Sequence, residues 1–456
     1  MQKHINKYYE KSLINILEDS KLDPFVLATE IVEKIGKSKQ PYMIYENGEE
    51  ISVALREHIN IEVYKDRIIL FENNKLKEYE VKNLSEDIKR IFNKIDFVDW
   101  RMYGIADFNY ARNTFLNNLN SEEVLLKLFI PQIDIRISKK SIRVRSINKI
   151  DELLFQIKEI ISKIEDFDIN VDSRTLSSKN VEKTKDKDSV YYKDIVAKGI
   201  EEINNEKYDK VILSRKIKLD KRISMKNSYL TGRKFNTPAR SYCLKIGEFE
   251  VIGFSPETVV EVNSEKEVYT FPLAGTRALT NDPKKNKKLR NELVKDPKEI
   301  AEHAVSVKLA FEELERVCLE ESISVIKFME VLERGSVQHL ASRLKGTLKD
   351  DFNEWHAFTS LFPAVTASGI PKKECIDAID RLEKDERGLY SGGVLTYDQD
   401  GTMDVALALR SAFQTEKETW IQVGAGIVKL SKVERELEET KEKVGSILDK
   451  LEYIEE

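Results

Sequence analysis

Strand-like runs in this chain follow one another without helices between them, and helical stretches come in blocks of their own. That ordering argues against βαβ alternation and for the α+β class. In residues 1–172, Ile51–Leu55, Ile61–Tyr64 and Arg67–Phe71 read as successive strands. Leu126–Ile130 and Ile133–Ser138 read as a further pair, and Ile150–Ile164 has a helical period. Residues 173–190 are rich in Ser, Lys, Asp and Asn without apolar periodicity, which predicts a loop or linker. Residues 191–456 have a tighter pattern. Tyr192–Ile203 predicts an amphipathic helix. Val211–Leu219, Ser241–Ile246, Glu250–Phe254, Thr258–Val262 and Trp420–Val428 predict strands, and Lys284–Cys318 is mostly helical. Arg387–Tyr397 and Met403–Phe413 flank a D-Q-D-G-T turn and predict a hairpin, and a last helix closes the chain. No internal repeat is present.

Two pairs of glutamates stand out against this background. Glu299 and Glu302 lie in K-E-I-A-E-H, and Glu436 and Glu439 in E-R-E-L-E-E-T-K-E-K. Each pair has i, i+3 spacing, so on a helix both carboxylates share one face. Ile300, Ala304, Val307 and Phe311 supply a helical period to the first segment, and Ser431 with Glu434 has the form of a capping box before the second. Alone, either pair is most simply a solvated helix face. Brought together, they would make an all-oxygen site for a hard cation, and Mg²⁺ suits it best.

Other residues carry potential chemistry. Lys210 opens the strand D-K-V-I-L-S-R and can act as a base only in a special environment; otherwise it is a solvated charge. Glu257 ends G-F-S-P-E, where Pro256 predicts a turn that aims its side chain. Gly275 in P-L-A-G-T-R, and Gly424 and Gly426 in G-A-G-I, would let backbone N–H groups approach a carboxylate. Arg410, in the strand A-L-A-L-R-S-A, would face either solvent or a pocket, where an arginine often pairs with a carboxylate in bidentate fashion, and Tyr390 in R-G-L-Y-S-G could donate a hydrogen bond. Lys443 follows Glu439 by one helical turn, and His339 in R-G-S-V-Q-H-L has a buried core histidine as its default reading.

The net charge of −5 leaves no basic footprint for nucleic acid. No apolar run is long enough to span a bilayer, and no apolar segment follows the basic start, so neither a membrane nor secretion is expected. Three scattered cysteines, Cys243, Cys318 and Cys375, match neither a disulfide framework nor a zinc site and point to a reducing cytoplasm. No partner interface is visible, and a monomer is expected.

Nine ordered motifs give the chain a family resemblance: V-I-L-S-R, G-F-S-P-E, P-L-A-G-T-R, K-E-I-A-E-H, R-G-S-V-Q-H-L, F-P-A-V-T-A-S-G-I-P-K, R-G-L-Y-S-G, G-A-G-I and E-L-E-E-T-K-E-K. With them the chain resembles the chorismate-utilising enzymes, closely over Tyr191–Leu451 and loosely before that, where Trp100–Tyr110 is similar to a family strand. The resemblance implies one large domain of two packed, mostly antiparallel sheets with helices outside. It implies chorismate as substrate and Mg²⁺ as cofactor, held by Glu299, Glu302, Glu436 and Glu439. It assigns Lys210 as general base and Glu257 as general acid. It places Gly275, Thr276, His339, Thr366, Tyr390, Arg410, Gly424, Ala425, Gly426 and Lys443 around the substrate. The lysine at 210 together with the Phe362–Lys372 segment resembles members that carry chorismate through isochorismate to salicylate and pyruvate, often for siderophore or related metabolism. Isochorismate release, ammonia-dependent anthranilate or aminodeoxychorismate formation, and a non-catalytic binding role are the alternatives; Lys210 argues against the ammonia-dependent one.

Overall fold

Two long strands, Glu50–Val63 and Leu126–Ser138, pair antiparallel from end to end and carry the rest of the sheet structure. In the computed structural model, which describes residues 7–14, 22–72, 74–165, 178–280, 282–335 and 337–454, each replaces two shorter strands expected from sequence. The apparent breaks face each other. Arg56 takes a left-handed φ of 61°, and the register shifts between Glu57 and Ile59 opposite Pro131. A paired bulge and an in-strand proline thus look like turns in sequence, whereas here they bend two continuous strands.

Two arms leave this central pair. One runs through Tyr42–Glu46, Arg240–Ile246, Phe249–Ser255, Ser411–Gln414, Thr419–Val428 and Lys210–Leu219. The other runs through Arg101–Ala106, Gly393–Asp398, Met403–Leu407, Thr258–Val262, Glu267–Thr270 and Val337–Thr347. Leu273–Ala278 and Ser324–Arg334 also pair with the last of these. Every pairing named here is antiparallel.

Side-chain alternation sorts the residues into layers. Tyr242, Leu244, Val251 and Phe413 of the first arm pack with Tyr103, Ile105, Val394 and Ala406 of the second, forming a core between the arms. Their neighbours in sequence face outward. Cys243 and Ile252 meet the helices Pro24–Ile35, Ile150–Glu165, Met225–Phe235 and Val433–Leu448. Met102, Leu395 and Val405 belong to the opposite outer core, with Leu84–Phe92, Ser189–Asn204, Pro297–Val317, Glu354–Leu361 and Lys372–Leu382. The architecture is the expected α+β sandwich of two antiparallel sheets with helices outside. Among the described residues no helix is long and apolar enough to cross a membrane.

Three local expectations are corrected. Part of the expected loop is the helix Ser178–Lys185, while residues 173–177 lie outside the described residues. The final helix starts from Lys432 without a capping box; Ser431 Oγ accepts instead from the Val428 N–H at 3.1 Å. The Met403–Phe413 strand is broken, because Arg410 has a φ of 50° and separates Met403–Leu407 from Ser411–Gln414.

That break positions the site. Met403–Leu407 belongs to one sheet and Ser411–Gln414 to the other, so Arg410 sits where the chain crosses between them. Pro256 and Glu257 make the same crossing between Phe249–Ser255 and Thr258–Val262. The two crossings are tied together by Phe254 N–H to Arg410 O at 3.3 Å and Leu407 N–H to Glu257 O at 3.1 Å.

Candidate active site

Lys210 begins its strand opposite Val428, beside the Gly424–Gly426 segment of the neighbouring strand. Its side chain runs across Gly426, where a β-carbon would lie 3.1 Å from Lys210 Cε. A side chain at this position would press on the lysine, which glycine lets lie close to the strand. The ammonium donates to Glu302 Oε1 at 2.5 Å. Two residues back along the strand, a β-carbon at Gly424 would lie 3.0 Å from the Tyr390 hydroxyl. Lys443 Nζ donates to the Gly424 carbonyl at 2.7 Å and pairs with Glu439 at 2.8 Å. Both acidic helices thus present a carboxylate to a lysine that contacts the glycine segment. Ala425, between the two glycines, points to the opposite face and can offer only its backbone.

Glu257 is almost fully buried, and the Thr366 hydroxyl donates toward both its oxygens at 3.0 and 2.8 Å. Burial raises its carboxyl to about 8, against the opposing pull of Thr366, the Leu273 backbone and nearby Lys210. At neutral pH it is a protonated acid beside a buried lysine.

Gly275 has a φ of 76° at a bulge in Leu273–Ala278, with Glu299 Oε2 only 3.1 Å from a β-carbon position. Thr276 lies opposite His339 in the pairing, and its hydroxyl is 2.9 Å from Nδ1. His339 Nε2 accepts from Arg410 Nη2 at 3.2 Å. Burial and the charge of Arg410 push His339 down to about 3, so it is a neutral acceptor that orients the arginine. Burial and nearby Arg334 lower Arg410 to about 10. Among the described residues no carboxylate is paired with Arg410.

The four glutamates are placed on two helices, as expected, and three of them have a basic partner. Glu299 Oε1 accepts from Arg277 at 2.8 Å, Glu302 from Lys210 and Glu439 from Lys443. Among the described residues no three acidic, histidine or cysteine side chains converge as a metal-holding group. The donor chemistry nevertheless suits a hard cation. Burial raises the Glu436 carboxyl, Ser431 opposes this, and the like charge of Glu439 raises it further, a repulsion that a cation would relieve.

Sequence reasoning did not single out Arg277, or the buried pair Arg387–Glu383 behind the Lys210 strand. Arg387 was visible only as a letter of R-G-L-Y-S-G, and nothing local marks Glu383.

The α+β sandwich thus sets a buried carboxyl and an arginine at the sheet crossings and a buried lysine at the start of a strand. The profile of chorismate binding enzymes matches residues 39–449, and the chain belongs to that family. It is 34% identical over 436 residues to the salicylate synthase of Mycolicibacterium paratuberculosis, covering 93% of each chain. It is 34% identical over 265 residues to anthranilate synthase component 1 of Aquifex aeolicus, covering 58% of this chain and 53% of that protein. In fold it is similar to MenF, the menaquinone-specific isochorismate synthase of Escherichia coli, with a TM-score of 0.70 at 19% identity, covering 97% of this chain and 94% of that one. Anthranilate synthase component I of Streptococcus pneumoniae gives 0.69 at 20% identity, covering 96% and 99%.

Proposed function

We propose that the protein converts chorismate to salicylate and pyruvate through isochorismate. The observation that carries this reading is Glu257, a buried carboxyl raised to about 8 and bound by Thr366, in the field of buried Lys210. A reaction that adds water at one ring carbon and expels a hydroxyl from another needs one base and one acid at the same pH. Full-length similarity to a salicylate synthase supports the choice of product.

In this reading Lys210 takes a proton from the water that attacks carbon 2. Glu257 gives its proton to the departing 4-hydroxyl. Arg410, oriented by His339, binds the enolpyruvyl carboxylate together with Tyr390 and the Gly424–Gly426 backbone, and Lys443 adds positive charge. Glu302 and Glu439, with Glu299 and Glu436, would hold Mg²⁺, which supplies positive charge for the ring carboxylate. Pyruvate loss from isochorismate is an intramolecular hydrogen transfer with elimination, and it asks the site mainly to hold a reactive conformer.

The test is chromatography of products from purified protein and chorismate, with and without Mg²⁺. Equal amounts of salicylate and pyruvate, formed only with Mg²⁺, are expected. Isochorismate as the sole product would keep the acid and base roles and remove the lyase step; no turnover would overturn the reading.

A further inference from the structure

Behind the face that carries Lys210 lies an ion pair the reaction does not use. The Arg387 and Glu383 side chains are 2% and 4% exposed, one helical turn apart in sequence spacing but outside any helix. Arg387 Nε and Nη2 donate to the two Glu383 oxygens at 2.9 and 2.6 Å. Burying such a pair brings little net stability, because desolvation offsets the attraction. What distinguishes this one is where its remaining bonds go.

Each remaining bond ends on a segment that carries a site residue. Arg387 Nη2 donates to the Ile212 carbonyl at 2.6 Å, two residues after Lys210. Glu383 accepts from the Ser214 N–H at 2.7 Å and from its hydroxyl at 3.0 Å, and Ser214 pairs with Gly424. Arg387 Nη1 donates to the Ala367 carbonyl at 2.7 Å, the residue directly after Thr366. The guanidinium also lies 5.6 Å from the centre of the Tyr390 ring. One planar fork therefore spans the base strand, the turn that holds the acid and the tyrosine beside the glycine segment.

We propose that Arg387 and Glu383 are a positioning pair that sets Lys210 against the Thr366–Glu257 unit. The inference rests on the chorismate reading above. Lysine cannot replace the arginine, because a single ammonium cannot reach the Ile212 and Ala367 carbonyls and both Glu383 oxygens in one plane. Loosening the fork frees the turn that carries Thr366. That hydroxyl stabilises the Glu257 carboxylate, so its withdrawal moves the Glu257 titration to higher pH.

Glu383→Gln and Arg387→Lys test this. Both are expected to fold, with kcat reduced about 10- to 100-fold, KM for chorismate changed much less, and the alkaline limb of kcat/KM moved upward. Infrared titration of the Glu257 carboxyl, identified by its loss in Glu257→Gln, should show the same upward move without any turnover. A lowered Tm with wild-type kcat and an unmoved Glu257 titration would reduce the pair to a structural one and overturn the proposal. If the wild type does not turn over chorismate, the functional reading fails, and the infrared titration still decides whether the pair governs Glu257.

Discussion

At the residue scale, burial is what turns ordinary side chains into chemistry. Glu257 and His339 move in opposite directions for one reason: each is held in its neutral form by desolvation. The pH consequence for Glu257 has a definite sign. Its carboxyl rises from 4.5 to about 8 in the folded protein, so the native state binds the proton more tightly than the unfolded chain. Stability from this residue is therefore present at low pH and is lost as pH climbs through that window. Glu257→Gln should lower kcat by about 10²- to 10⁴-fold and abolish the alkaline limb. The same variant should melt above the wild type well above pH 8, with the difference shrinking toward acid. A wild-type Tm profile in the variant would refute the burial argument. The identities of Lys210, Glu257 and the four glutamates were legible in sequence through their motifs. Only the Glu439–Lys443 pair, one helical turn apart, was legible with its partner; the others were not, because Glu302 is 92 residues from Lys210 and Thr366 is 109 from Glu257.

At the element scale, the acidic helix Pro297–Val317 shows how a start signal serves a site. Asp296 caps it, accepting from the Lys298 N–H at 3.0 Å, and also binds Arg277, which in turn holds Glu299. Asp296→Ala should cost about 1 kcal/mol in urea unfolding through the lost cap. No change in the midpoint would mean that the cap is frayed in solution. Proline at the first helical position and aspartate before it are start signals that the reading of Lys284–Cys318 as one mostly helical run passed over; the structure divides that run into Pro283–Leu293 and Pro297–Val317. The second acidic helix was misread at Ser431, whose hydroxyl serves the preceding strand. Arg410 was misread as in-strand, because nothing in A-L-A-L-R-S-A announces a left-handed residue. Long-range sheet crossing, and not local propensity, imposes that conformation.

At the scale of the whole molecule, the two halves are not separate folding units. The core between the sheets draws Met43, Tyr45, Ala54 and Phe129 from the first half and Tyr242, Leu244, Val251 and Phe413 from the second. Residues 191–456 expressed alone would expose that face of Arg240–Ile246 and lose its pairing with Tyr42–Glu46. We expect no cooperative thermal transition from that fragment, and a single one from the full chain. A fragment that melts cooperatively would establish it as an autonomous domain.

The sequence by itself determined the fold class and the family and marked the candidate site residues, because ordered motifs and side-chain period are local properties of the chain. Tertiary structure alone decided how the pieces are used. It merged four expected strands into two, set Glu257 and Arg410 at adjacent sheet crossings, neutralised His339 against Arg410, and gave each acidic helix a lysine or arginine partner. These outcomes depend on distances between residues far apart in sequence and on the exclusion of water around them, and neither exists until the two sheets close on each other.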